Sequence, residues 1–236
     1  LKEKEKGDLF EFLTKQILIT KPEYCSKIKN VWLYNEIPTV TRDKLNLPSR
    51  DEGIDIVAET FQGQYWAIQC KFKGHNQSPT YKELSTFSQL ANNYCKNISL
   101  ALLVHTGERG VRKSHLLGEK YSEIGLEFWL GLTEEDWIRI QKSIKHQSVR
   151  PKLRKPRPHQ QLAINGAVKH YLENKATRGR LIMPCGTGKS LTAFWIANTL
   201  KAKSIIVAVP SLSLIKQSLE DWTREFLAQN ENPKPE

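Results

Sequence analysis

The stretch Asp51–Phe72, DEGIDIVAETFQGQYWAIQCKF, decides the fold of the first half of the chain. It reads as two short strands around a turn at Gly63. Side chains of a strand alternate between faces with a period of two. In the first strand this places Ile54, Ile56 and Ala58 on one face and Asp55 and Val57 on the other. In the second, Trp66, Ile68, Cys70 and Phe72 share one face, and Ala67, Gln69 and Lys71 share the other. Pairing of the two strands is therefore expected to bring Asp55, Gln69 and Lys71 to one surface. A carboxylate, an amide oxygen and an ammonium would meet there among apolar neighbours.

Around this stretch, helical and strand patterns alternate. LFEFLTKQIL places Leu9, Leu13 and Ile17 at helical spacing, and VWLY reads as a strand. YKELSTFSQLANNY repeats the helical pattern through Leu84, Phe87, Ala91 and Tyr94. ISLALLV is an unbroken apolar run, as expected of a strand covered on both faces. LEFWL is a further strand candidate, and TEEDWIRIQKSIK a helix capped by Thr133. These elements predict an α/β domain over residues 1–148. In SVRPKLRKPRP, three prolines and five basic residues leave no room for a regular element, so 149–158 reads as a linker. Its charges suit either contact with phosphates or simple solvation. Beyond it, HQQLAINGAVKHYL is helical, GRLIM a strand, PCGTGKS a glycine-rich turn and KSLTAFWIANTL a helix. SIIVAV is a strand stopped by Pro210, and SLSLIKQSLEDWTREFL a last helix in the unit 159–236. The tail AQNENPKPE has the composition of a disordered segment.

Composition narrows the function classes. The 236 residues carry a net charge of +11, which favours a polyanionic partner such as DNA or RNA. No apolar run is long enough to span a bilayer, and the first residues lack the pattern of a signal peptide. The four cysteines show no C-x-x-C spacing, which argues against zinc and against a disulfide framework. The six histidines show no metal spacing either. A reducing, cytoplasmic compartment is the expectation.

A strand, then Gly186-Thr187-Gly188-Lys189-Ser190, then a helix is the setting of a phosphate-binding loop. Glycines let backbone N–H groups approach a phosphate, and the helix N-terminus adds partial positive charge. Lys189 is placed to reach the β- and γ-phosphates of ATP and Ser190 to ligate magnesium. The segment MPCGTGKS, with Met183 where the general pattern has glycine, resembles the loop of superfamily 2 helicases and translocases. Arg157-Pro158-His159-Gln160 is similar to the segment that precedes it in that family. The resemblance implies that Gln160 reads the adenine edge and places Arg157 in the nucleotide-binding set. Val209-Pro210-Ser211 through Gln217 resembles motif Ia, which touches the nucleic acid backbone in that family. The resemblance covers about residues 156–229 and implies a RecA-like domain. The family's acidic box and second RecA-like domain are not found, which implies a larger motor protein.

Phosphodiester hydrolysis needs a metal to clamp the phosphate and acidify water, and a cation beside the charged phosphate. Asp55, Gln69 and Lys71 supply those chemistries, and the backbone carbonyl of Cys70 adds an oxygen. Hard oxygen ligands suit Mg²⁺. The motifs DEGID and QCK resemble the D-x-G-I-D and Q-x-K motifs of the Mrr-like branch of the PD-(D/E)xK nucleases. The resemblance implies a restriction-endonuclease-like fold with Asp55 as central metal ligand, Gln69 in place of the usual acidic ligand and Lys71 as catalytic lysine. It gives Asp51 a supporting role, Gly53 a close backbone approach, and Glu11, after Phe10, the role of the family's helical glutamate. Helical periodicity places Glu11 opposite Leu9 and Leu13, on the solvent side. The same residues also admit an ordinary cross-strand ion pair between Asp55 and Lys71.

The order of the two units resembles the N-terminal part of single-chain type I (type ISP) restriction enzymes, where methyltransferase and target-recognition domains follow. That implies an Mg²⁺-dependent endonuclease on double-stranded DNA, joined to an ATP-dependent translocase in a restriction–modification, phage-defence setting. A catalytically inactive nuclease fold that holds DNA for a motor is the alternative, as is a nuclease–helicase fusion in repair or another defence system.

Overall fold

The computed structural model describes residues 2–74, 76–147, 149 and 151–229. His75, the boundary position Arg150 and the tail from Asn230 onward lie outside the described residues. The chain divides into two compact units, 1–149 and 150–233.

The first unit is built on one mixed sheet in the order β1 (Ile28–Leu33), β2 (Ile56–Thr60), β3 (Tyr65–Lys71), β4 (Ile98–His105) and β5 (Tyr121–Ile124). The β1–β2 and β2–β3 pairs are antiparallel, and the β3–β4 and β4–β5 pairs are parallel. The helices are α1 (Glu3–Thr20), α2 (Pro22–Cys25), α3 (Thr39–Leu45), α4 (Tyr81–Gln89), α5 (Leu126–Leu130) and α6 (Glu134–Ile144). Helix α4, continued by a π-turn over Leu90–Tyr94, makes the crossover that a parallel β3–β4 pair requires.

Alternation along the strands separates two cores. Ile56, Ala58, Ile68, Leu102 and Val104 pack with Phe10 and Leu18 of α1. Val57, Ala67 and Ala101 pack on the opposite side with Leu45, Phe87 and Ala91. The central strands are thus covered on both faces, which is why ISLALLV carries no polar alternation. Helix α1 is fixed by burial of Phe10, Thr14, Ile17 and Leu18. Phe10 meets Trp129 at 5.0 Å and Phe72 at 5.9 Å between ring centroids. Such burial of one aromatic side chain contributes roughly 1.5–3 kcal/mol. This face differs from the predicted one: Leu9 is 56% exposed, and Phe10 takes its place. The aromatic neighbours Phe72 and Trp129 come from distant segments, so local periodicity could not select between Leu9 and Phe10. Helix α6 is capped by Thr133, whose Oγ1 accepts the Asp136 N–H at 3.3 Å. Asp136 in turn faces Lys21 at 3.6 Å, tying α6 to the end of α1.

The segment LEFWL, expected as a strand, is the helix α5. It lies between Gly125 and Gly131, and its Phe128 and Trp129 pack on Tyr24 and Phe10. A five-residue apolar run fits either element by pattern, and the aromatic contacts select the helix.

The second unit contains α7 (Pro158–Val168), α8 (Lys189–Thr199) and α9 (Leu212–Gln229). Ile164, Leu191, Phe194 and Trp195 form its core, with Trp222 and Phe226 of α9 against them. The expected strands GRLIM and SIIVAV do not form among the described residues. Ile182 is 78% and Ile206 96% exposed. An apolar run becomes a strand only when a neighbour accepts its backbone hydrogen bonds, and no ladder partner stands beside either one among the described residues.

Candidate active site and phosphate loop

The antiparallel ladder between β2 and β3 stops at Ile56↔Ile68. Just before it, Asp55 Oδ2 accepts the backbone N–H of Cys70 at 2.5 Å, so a side-chain oxygen occupies a ladder position. Its backbone carbonyl accepts the N–H of Tyr34 at 2.9 Å. The bend that allows this contains Gly53, whose φ of +117° is unfavourable for any residue with a side chain. Asp51 Oδ1 holds that bend by accepting the Gly53 N–H at 2.9 Å.

The consequence is a shift in facing. Asp55 does not share a face with Gln69, as strict alternation required. It lines a cleft of about 390 Å³ under α1, together with Glu11, Cys70 and Lys71. Gln69 is buried and is not among the lining residues: its Nε2 would lie 3.3 Å from a Cβ placed on Gly53, which also faces Phe87 of α4. Ile54 likewise packs with Val57 rather than with Ile56. The alternation fails because Ile54 and Asp55 precede the regular strand. The structure therefore brings Asp55, Lys71 and the Cys70 backbone together with Glu11, places Asp51 within electrostatic reach of Glu11, and leaves Gln69 outside the lining. The solvent-side position of Glu11 is corrected: Phe10 turns inward, and Glu11 beside it half-enters the cleft.

The electrostatics of the cleft follow from this crowding. Burial, then the neighbouring Asp55, Asp51 and Asp8 carboxylates, push the Glu11 carboxyl up to about 7, against the smaller opposing effect of Lys71. Burial pushes Asp55 up to about 6, partly offset by the Cys70 N–H and Lys71 and reinforced by Asp51. Glu11 and Asp55 thus share a partly desolvated cleft whose lining also carries Glu3 and three ammoniums, Lys6, Lys71 and Lys73. The Oε1 of Gln69 is buried with no hydrogen-bond partner. Among the described residues no three His, Cys, Asp or Glu side chains converge to hold a metal by themselves. A cation at this cleft would complete its shell with amide, carbonyl, water and phosphate oxygens, a mixture that suits Mg²⁺.

In the second unit, Gly186 and Gly188 have φ values of +76° and +82°, so the loop turns as only glycine does comfortably. Gly188 caps α8, which begins at Lys189. A Cβ at Gly188 would stand 2.6 Å from Gln160 Nε2. Gln160 is buried; its Oε1 accepts the Arg157 N–H at 2.8 Å, and its Nε2 donates to the Thr187 carbonyl at 3.1 Å. It braces the loop from behind. Lys189 Nζ donates to the carbonyls of Met183 and Pro184 at 3.3 and 3.2 Å, lying back on its own loop. Ser190 Oγ accepts from the indole N–H of Trp222 at 3.0 Å, a contact from α9 that no local motif foretold. The cleft beside the loop has a volume of about 450 Å³ and is lined by Arg154, Lys155, Arg157 and Gln160. No carboxylate is among its lining residues.

A restriction endonuclease family model, Mrr_cat_2, matches residues 19–116, and the type III restriction enzyme res subunit model matches residues 153–235. The solved structure described as ATP-dependent Type ISP restriction-modification enzyme LlaBIII bound to DNA superposes with a TM-score of 0.66 at 28% identity. The chain joins an Mrr-type restriction endonuclease domain to a helicase-like region. This is the arrangement of the N-terminal part of a type ISP enzyme: the superposition covers 94% of this chain and 14% of LlaBIII. Over 54 residues the chain is also 37% identical to the TFIIH basal transcription factor complex helicase/translocase XPB subunit of Trypanosoma brucei brucei. That match spans 23% of this chain and 5% of its relative. Asp55, Cys70 and Lys71 lie within the residues matched to the endonuclease model, Glu11 precedes them, and the Gly186–Ser190 loop lies within the helicase-like region.

Proposed function

We propose that the chain is a divalent-metal-dependent DNA endonuclease joined to an ATP-driven DNA translocase, within a longer cytoplasmic restriction–modification enzyme. The observation that carries this reading is the meeting of Asp55, Glu11 and Lys71 in one cleft of a restriction endonuclease domain. Asp55 and Glu11 are the carboxylates that would hold the metal, with the Cys70 carbonyl as a backbone ligand. The unpaired Oε1 keeps Gln69 in the ligand set, reached by turning its amide away from Gly53. Bound there, Mg²⁺ would polarise the scissile phosphate and lower the pKa of an attacking water.

Lys71 places its ammonium beside the same phosphate, where it offsets the charge that builds up as the phosphodiester is attacked. Asp51 holds the Gly53 bend and so the approach of Asp55. In the helicase-like region, Lys189 would leave its two loop carbonyls for the nucleotide phosphates, and Ser190 would turn its hydroxyl to the accompanying Mg²⁺. Gln160 and Arg157 stand at the same cleft for the base. The cysteines are free, and among the described residues no helix is long and apolar enough to cross a membrane.

One observation favours a second reading, an inactive nuclease fold that only holds DNA: Gln69 is neutral and lies outside the cleft lining. The metal test separates the two. The carboxyls of Glu11 and Asp55 titrate higher in the folded chain than their ordinary values of 4.5 and 3.8. Folding therefore binds protons, and the stability this confers is complete below those ordinary values and lost as pH rises through about 6 to 7. Glu11→Gln is expected to raise Tm at pH 8 and leave it unchanged at pH 4. Mg²⁺ is expected to raise Tm of the wild type at pH 8, where both carboxylates are bare, and much less at pH 5. Thermal melts at those pH values, with and without 10 mM Mg²⁺, make the measurement. A metal-independent melt at pH 8 would favour the inactive fold.

A further inference from the structure

The strongest unassigned feature of the endonuclease domain is a basic cleft on the far side of the loop that borders Asp55. The segments that leave β3 and β4 are zipped together. Thr106 Oγ1 donates to the Lys73 carbonyl at 2.9 Å and accepts the Lys73 N–H at 2.8 Å. Glu108 N–H donates to the Gln77 carbonyl at 3.3 Å, and Arg109 N–H to Ser78 Oγ at 3.3 Å. Gly107 keeps the two backbones close, because a Cβ there would stand 3.0 Å from the Gln77 carbonyl oxygen.

These paired loops form one ridge at the carboxyl ends of two parallel strands, where an open sheet offers a crevice. One side of the ridge, through Lys73, Gly74 and Gln77, lines the Asp55 cleft. The other side, through Asn76, Ser78 and Thr80, lines a cleft of about 710 Å³. Its lining also carries Arg109, Arg112 and Lys113, and Lys82 from the first turn of α4. Against these four cations the lining has one carboxylate, Glu108, whose Oε1 accepts the Asn76 N–H at 3.2 Å. None of the four cations forms an ion pair among the described residues. A cleft of this kind concentrates polyanions, and its hydroxyl and amide groups suit phosphate oxygens.

We propose that this cleft seats the phosphate backbone of the bound DNA several nucleotides away from the scissile phosphate, with the ridge between the two clefts. The proposal rests on the nuclease reading of the Asp55 cleft and adds the path of the strand. Arg109, Arg112 and Lys113 are exposed, so their replacement leaves the fold intact.

The test is the salt dependence of binding of a labelled 20-base-pair duplex to the whole chain, in Ca²⁺ buffer. Wild type is compared with the Arg109→Ala/Arg112→Ala/Lys113→Ala triple and with Arg109→Lys/Arg112→Lys. Three lost phosphate contacts are expected to flatten the slope of log K against log salt by about 2.7, at about 0.9 for each contact. Kd at low salt rises at least tenfold in the Ala triple and stays within about threefold in the Lys variant. An unchanged slope in the Ala triple would overturn the proposal. So would equal losses in both variants, or a single-stranded RNA of the same length that displaces the duplex from the wild type but not from the Ala triple. Absence of Mg²⁺-dependent cleavage by the wild type would remove the nuclease reading, while the salt slope would still decide whether the cleft holds DNA phosphates.

Discussion

Asp55→Asn is expected to reduce Mg²⁺-dependent cleavage of supercoiled plasmid by about a thousandfold or more, the several kcal/mol that a metal's charge stabilisation supplies. The substitution is nearly isosteric, and an asparagine oxygen can still accept the Cys70 N–H that Asp55 holds at 2.5 Å. The fold and DNA binding should therefore survive, the latter because the basic surface is untouched. Lys71→Ala should give a comparable loss by removing the ammonium from the same cleft. Nicking rates, circular dichroism and a gel-shift on the same preparations separate the effects. Full cleavage by Asp55→Asn would show that the cleft is not the reaction centre. Parallel loss of folding and cleavage would mark Asp55 as a structural residue that only closes the ladder between β2 and β3.

The second large effect concerns ATP. Lys189→Ala is expected to weaken ATP binding by about 10- to 100-fold, the loss of charged hydrogen bonds worth roughly 1.5–3 kcal/mol. Residues 1–236 should nonetheless show no DNA-stimulated ATP turnover. Phosphoryl transfer needs a group to help hold Mg²⁺ and position water, and a cation at the γ-phosphate. Among the described residues, the lining of the cleft beside Gly186–Ser190 carries the cations Arg154, Lys155 and Arg157 and no carboxylate. Ser190 is also engaged by Trp222. Binding of a fluorescent ATP analogue and steady-state phosphate release are the two measurements. Turnover that DNA stimulates and Lys189→Ala abolishes would show that residues already present complete the motor site.

Much of this was legible in the sequence because the signals were local. The β2–β3 hairpin, the covered strand ISLALLV, the Thr133 cap and the turn from Gly186–Ser190 into α8 each depend on neighbours within a few residues. What escaped depends on distant partners. Strand β5, Tyr121–Ile124, is polar and short, and only its parallel pairing with β4 makes it a strand. LEFWL became a helix through contacts with Phe10 and Tyr24. The apolar runs at 179–183 and 204–209 had the pattern of strands but no ladder partner among the described residues.

The site shows the same division. Motif spacing selected Asp55 and Lys71, but the facing of Asp55 relative to Gln69 depended on a bend at Gly53 that breaks the period of two. Periodicity alone turned Glu11 to solvent because it counted Leu9 as core, whereas Phe72 and Trp129 draw Phe10 inward; the family resemblance had kept Glu11 among the site residues. The contact of Trp222 with Ser190 carries no sequence signal at all, since 32 residues separate them.

The most direct test of the central claim is to locate the metal. Crystals of residues 1–236 soaked in Mn²⁺ should show an anomalous peak between the carboxylates of Asp55 and Glu11, with Lys71 Nζ beside it. The peak should vanish in Asp55→Asn. A cleft closed by a direct Asp55–Lys71 ion pair, with no peak at Mn²⁺ concentrations that saturate other sites, would contradict the account.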